Sequence, residues 1–124
     1  MSKTNALREI IQEKINAIVK SYYRIADEKN LFLHATYDFE NIDLGDINRD
    51  DAILIVDLWD KGKDTSRIED CADRIEALFN AANFPSEEVL PTFYRISRKP
   101  IDDEDKTIMH RRLKFQIQNY YIGG

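Results

Sequence analysis

The stretch Ala52-Ile53-Leu54-Ile55-Val56-Asp57-Leu58-Trp59 decides how this chain folds. Side chains of an extended strand alternate between the two faces of a sheet, so Ile53 and Ile55 share one face while Leu54, Val56 and Leu58 share the other. Both faces are apolar. A short run of this kind reads as a central strand, covered by a helix on one side and by something else on the other. Lys61-Gly62-Lys63-Asp64 ends it.

Downstream, Ile68, Cys71, Ala72, Ile75, Leu78 and Phe79 recur at three- and four-residue spacing opposite Arg67, Asp70, Asp73, Arg74 and Glu76, which predicts an amphipathic helix over 66–79. Ser66 followed by Glu69 reads as a capping box at its start, reinforced by Asp64 and Thr65, and Pro85 marks its outer limit. Two strands follow, Val89 to Arg98 and Ile108 to Ile122, joined by a polar segment too long for a tight hairpin. In the last strand Leu113, Phe115 and Ile117 alternate with Arg112, Lys114, Gln116 and Gln118. The aromatic end Tyr120-Tyr121-Ile122 is expected to reach past the domain.

Upstream, Leu7, Ile10, Ile11, Ile15, Ile18 and Val19 form one stripe, which predicts a first helix over residues 5 to 20 with Ser2 or Thr4 as its N-cap. Tyr22 to Ile25 starts a strand, interrupted by a turn at Asp27-Glu28-Lys29-Asn30. From Phe32 to Ile42, His34, Thr36, Asp38 and Glu40 alternate with Leu33, Ala35, Tyr37 and Phe39, a strand with one wet face. Gly45-Asp46 and Asn48-Arg49-Asp50-Asp51 read as a loop. The pattern is α+β: a mostly antiparallel sheet of about four or five strands packed by two helices, in a single domain spanning 1–124. It carries more apolar sheet surface than two helices cover, and such a surplus points to assembly.

At 124 residues, with 43% hydrophobic and 33% charged residues, the chain has the size and composition of one globular domain, able to bury roughly two-thirds of its unfolded surface. No apolar run approaches the ~20 residues of a membrane span, and Met1-Ser2-Lys3-Thr4-Asn5 leads into an amphipathic helix rather than a signal-peptide core, so a cytoplasmic protein is expected. The net charge of −5 opposes general attraction to nucleic acid or anionic lipid.

Residues able to carry chemistry do not form a recognisable motif. The single Cys71 has no disulfide partner, sits between Ile68 and Ile75 on the apolar side of its helix, and reads as a small buried hydrophobe. With only His34 and His110 beside it, zinc spacing is missing, and both histidines read as surface residues. Asp57, Asp60 and Lys61 are similar to the clusters of metal-dependent nucleases but lack their two-strand arrangement. They read as a polar strand end. Asp102-Asp103-Glu104-Asp105 reads as a solvated loop, since consecutive carboxylates cannot all point at one cation. An enzyme, a cofactor and a metal are therefore not expected. The remaining feature is a basic set, Arg95, Arg98, Arg111, Arg112 and Lys114, with Tyr94 interleaved. In an acidic protein it reads as contact with a protein partner rather than with nucleic acid.

The order of segments resembles the tail terminator and tail completion proteins of phages and phage-tail-like particles. The points of likeness are the strand Ala52 to Trp59, the short connection Asp60 to Thr65, the helix Ile68-Glu69-Asp70-Cys71-Ala72-Asp73-Arg74-Ile75-Glu76-Ala77-Leu78, and the closing strand Arg111 to Tyr121. The resemblance implies a non-enzymatic ring, usually a hexamer, that caps the head-proximal end of a tail tube, stops its polymerisation and offers a docking face to the next component. Its implied partners are further copies of itself, the tube protein, and a sheath or head-tail connector protein. Its implied place is the bacterial host cytoplasm, then the virion or tail-like particle. Arg95, Arg98, Arg111, Arg112 and Lys114 become the candidate contacts. The polar piece from Asp27 to Asp51 departs from a diagnostic pattern and leaves open a flexible tail, a contractile tail or a bacteriocin. The alternatives are a connector adaptor at the portal side and a small nuclease using Asp57 and Asp60.

Overall fold

A computed structural model describes residues 3–26, 32–46, 49–86 and 89–121. The order is α1 (Lys3–Asn16), β1 (Ser21–Tyr23), β2 (His34–Asp46), β3 (Arg49–Lys61), α2 (Ser66–Phe79), β4 (Ala82–Asn83), β5 (Val89–Pro100) and β6 (Ile108–Tyr121). The strands form one sheet in the order β1-β2-β3-β6-β5-β4. All pairings are antiparallel except β1 with β2. The fold is α+β as the pattern predicts, but with six strands rather than four or five. The strand beyond expectation is β4, whose two residues are too few to show any period.

β3 is central, bonded to β2 and β6 along its length. Leu54, Val56 and Leu58 are fully buried and belong to one cluster with Leu7, Ile11 and Ile15 of α1, Ile68, Ala72, Ile75 and Phe79 of α2, and Phe93, Leu113, Phe115 and Ile117 of the neighbouring strands. Both helices therefore lie on the same face. The expectation that both faces of β3 are covered holds for one only: Ile53, Ile55 and Trp59 stay half-buried on the other. Among the described residues no helix lies over that face, where β2 and β6 set polar residues level with them.

The element boundaries shift for local reasons. α1 stops at Asn16 rather than near residue 20, because the Asn16 Oδ1 accepts from both the amide (2.9 Å) and the hydroxyl (2.9 Å) of Ser21 and turns the chain into β1. Val19, at the end of the predicted stripe, is buried in that turn. Thr4 lies within the helix and is not its cap, and Ser2 falls outside the described residues. At α2 the capping box does not form: Thr65 holds the cap position without a side-chain bond, and the Asp64 carboxylate accepts from the Ser66 amide at 2.9 Å. Glu69 has two guanidinium partners instead, stronger attractions than a single backbone amide.

The loop predicted at residues 45–51 is narrower than its turn residues suggest. β2 runs to Asp46 and β3 starts at Arg49, with register irregularities around Asp43 that absorb the misfit. Residues 47–48, the predicted turn at 27–30, and Ile122 lie outside the described residues. β6 follows its alternation: Leu113, Phe115 and Ile117 are fully buried.

Candidate functional site

Sheet register assembles a surface on the helix-free face that no single segment contains. β3 supplies Ile53, Ile55, Asp57 and Trp59. β6 sets Gln116, Lys114, Arg112 and His110 directly beside them, and β2 sets Glu40, Asp38, Thr36 and His34 on the other side. At one end the register His34↔Trp59↔His110 stacks three rings, with Trp59 at 6.4 Å from His34 and 3.7 Å from His110, at 12° and 19° between planes. Tyr22 meets His34 edge-on at 6.2 Å, and Phe32 packs beside it at 6.0 Å.

The two histidines are thus not surface residues: His34 and His110 are only 7% and 6% exposed. Alternation correctly put them on the polar face, but the Trp59 indole stacks on His110, and Trp59, Tyr22 and Phe32 surround His34. Burial lowers the basicity of His34. His110 Nε2 lies 2.7 Å from Asp57 Oδ1, and Arg112 Nε donates to the same oxygen at 2.9 Å. Burial raises the proton affinity of Asp57, and the bonds from His110 and Arg112 outweigh it, so the carboxyl sits below the usual range. The result is a fixed charged cluster beside a flat aromatic plate.

The five candidate cations divide between the two faces. Arg112 and Lys114 lie on the helix-free face, where Lys114 reaches Glu40 at 3.5 Å. Arg95, Arg98 and Arg111 lie on the helix side and bind α2. Arg98 takes Asp73, Glu76 and Glu69 at 2.6, 2.8 and 2.9 Å; Arg111 takes Glu69 at 2.6 Å; Arg95 meets the second oxygen of Glu76. The odd-even parity of β6 separates Arg111 from Arg112. The bulge between Arg95 and Ser97 keeps Arg95 and Arg98 on one side.

Asp57 and Asp60 also part company. Asp57 is on the helix-free face, while Asp60, 1% exposed, turns toward α2 and is gripped by Arg67. They do not converge on a common ion. Among the described residues no group of three or more His, Cys, Asp or Glu side chains is placed to hold a metal. Cys71 is buried, and burial pushes its thiol up to about 11. In the acidic loop, Asp105 accepts from the amide and hydroxyl of Thr107, so it shapes its own turn. No helix of the described residues is long and apolar enough to cross a membrane.

No family model matches the chain, and no curated protein is significantly similar to it. The helix-free face offers apolar side chains at its middle, charged pairs around them and an aromatic plate at one end.

Proposed function

We propose that the chain is a structural subunit acting as a tail terminator: a ring of identical copies, usually six, that caps the head-proximal end of a phage or phage-like tail tube, ends its growth and presents a docking face. One observation carries the reading. Both helices pack on one face of the sheet, and the other keeps Ile53, Ile55 and Trp59 half-buried with no layer over them among the described residues, as a face made for a neighbour would. The net charge of −5 suits a lumen through which DNA passes without sticking.

The test is the tail itself. Particles made without the protein should carry tubes of uncontrolled length, seen by cryo-imaging, and added protein should bind tube ends. Normal tubes in its absence would remove the terminator reading, and binding to portal rings but not tubes would make it a connector adaptor. Trp59 is the sole tryptophan, so its emission reports this face. Assembly that covers the face shifts the emission to the blue.

A further inference from the structure

The sheet has two edges, and among the described residues both are mostly open. β1 covers β2 only from Ala35 to Tyr37, yet β2 continues to Asp46. β4 covers β5 only at Thr92 and Phe93, yet β5 continues to Pro100. An open strand edge is a row of unpaired amides and carbonyls, which soluble proteins usually shorten or cover.

These open stretches have opposite compositions. From Asp38 to Asp46, β2 contains Asp38, Glu40, Asp43 and Asp46 and no Lys or Arg, while from Arg95 to Pro100, β5 contains Arg95, Arg98 and Lys99 and no acid. Part of this charge is balanced inside the subunit, by Arg24 on Asp38, Lys114 on Glu40, and the α2 acids on Arg95 and Arg98. Lys99 is exposed and has no ion pair among the described residues. Ile96, at the bulge, is 50% exposed on the same edge.

We propose that copies of this chain join edge to edge, residues 95–100 of β5 in one copy lying antiparallel to residues 38–46 of β2 in the next, with Lys99 opposite Glu40. The proposal rests on the ring reading above and names the contact that closes it. Like edges repel and unlike edges attract, so the contact is head-to-tail, the kind that repeats around a ring. Within a subunit β2 and β5 run in opposite directions, since each step across β2-β3-β6-β5 is antiparallel. Rotation that preserves strand direction therefore brings β5 beside the next β2 in antiparallel sense.

The register also defines the stagger. Lys99 is level with Thr36 through Arg112 and Asp57, so setting it opposite Glu40 shifts the next copy by four residues along the strand. That shift is about 13 Å across four strand spacings of about 19 Å in all, an incline of about 35°, within the tilt of closed sheets. An even shift keeps both side chains on the helix-free face. It also clears the two short caps. β1 is level with Val56 to Leu58 and β4 with Asp51 and Ala52, at opposite ends of the joint.

The test uses the full chain and three variants, Lys99→Glu, Glu40→Lys and the double exchange, followed by light scattering over a concentration series. Each single change should raise the concentration needed for assembly by about tenfold, and the double exchange should restore it. Glu40 also holds Lys114, so the Lys99→Glu variant reads the joint without touching an internal pair. Hydrogen exchange on wild-type protein provides a second measurement: amides within 38–46 and 95–99 should gain protection on assembly. Assembly that is indifferent to both single changes and leaves these amides unprotected overturns the edge contact while the ring survives. Protein that forms no assembly at any concentration, nor on tube ends, overturns both.

Discussion

Replacing Arg98 with Met removes the guanidinium that ties α2 to β5, and its cost can be worked from exposure. The Arg98 side chain is 18% exposed and serves three carboxylates. Asp73 and Glu69 are 71% and 41% exposed, so solvent screens them and each contact contributes under about 1 kcal/mol. Glu76 is different: its side chain is 9% exposed, and stripping a partner from a buried charge costs about 3–5 kcal/mol. Arg95 remains on the other Glu76 oxygen but is itself 54% exposed, which places the expected loss near the lower end, about 3 kcal/mol. For a domain of this size that lowers the melting temperature by about 10 °C. Urea denaturation followed by circular dichroism measures it, with Glu76→Gln and the double variant completing a cycle. Once Glu76 is neutral, the Arg98→Met change should cost at least about 1 kcal/mol less. A loss under about 1 kcal/mol for Arg98→Met, or strictly additive effects, would refute the reasoning. Unchanged stability with assembly abolished would return Arg98 to the role of a contact between subunits.

Other outcomes follow from the same geometry. Burial holds the folded His34 below its ordinary 6.5, so the unfolded chain takes up that proton first and stability should decline as pH falls below about 6.5. The His34→Gln variant should lack this phase in denaturation midpoints measured from pH 8 to 5. Asp57, held below its ordinary 3.8, adds a second loss that begins near pH 4 and is complete only below its folded value. The Cys71 thiol should resist a disulfide reagent in native protein and react at once in urea; rapid native labelling would contradict its burial. Ala81 holds a left-handed backbone, φ 52°, just after α2, so Ala81→Gly should raise stability by up to about 1 kcal/mol in the same urea assay.

Much of the scaffold was legible because periodicity is a local property. Ile68 to Phe79 could be read as a helix and Leu113 to Ile117 as a half-buried strand from spacing alone, and each buries the predicted side. What escaped reading depends on competition between partners. Glu69 had a ready use as a capping residue, but two arginines brought close by strand pairing outbid the Ser66 end of the helix. The two-residue edge strand β4 carries too few residues for a period, whereas β1 falls where Tyr22 was read as starting a strand. The ring stack of His34, Trp59 and His110 left no trace in the sequence beyond three aromatic residues on separate segments.

Taken alone, the order of residues determined the α+β class, the central strand, the buried sides of both helices and the inert setting of Cys71, since each follows from spacing within one segment. Only the tertiary structure decided that both helices share a face, which leaves the far side of Ala52 to Trp59 half-buried and, among the described residues, without a helix. It also decided that five candidate cations divide between two faces, and that Asp57 and Asp60 point apart. The physical reason is parity: a strand assigns each residue to one of two sides, but which side receives the helices, and which strand lies alongside, depends on pairing between segments distant in the chain.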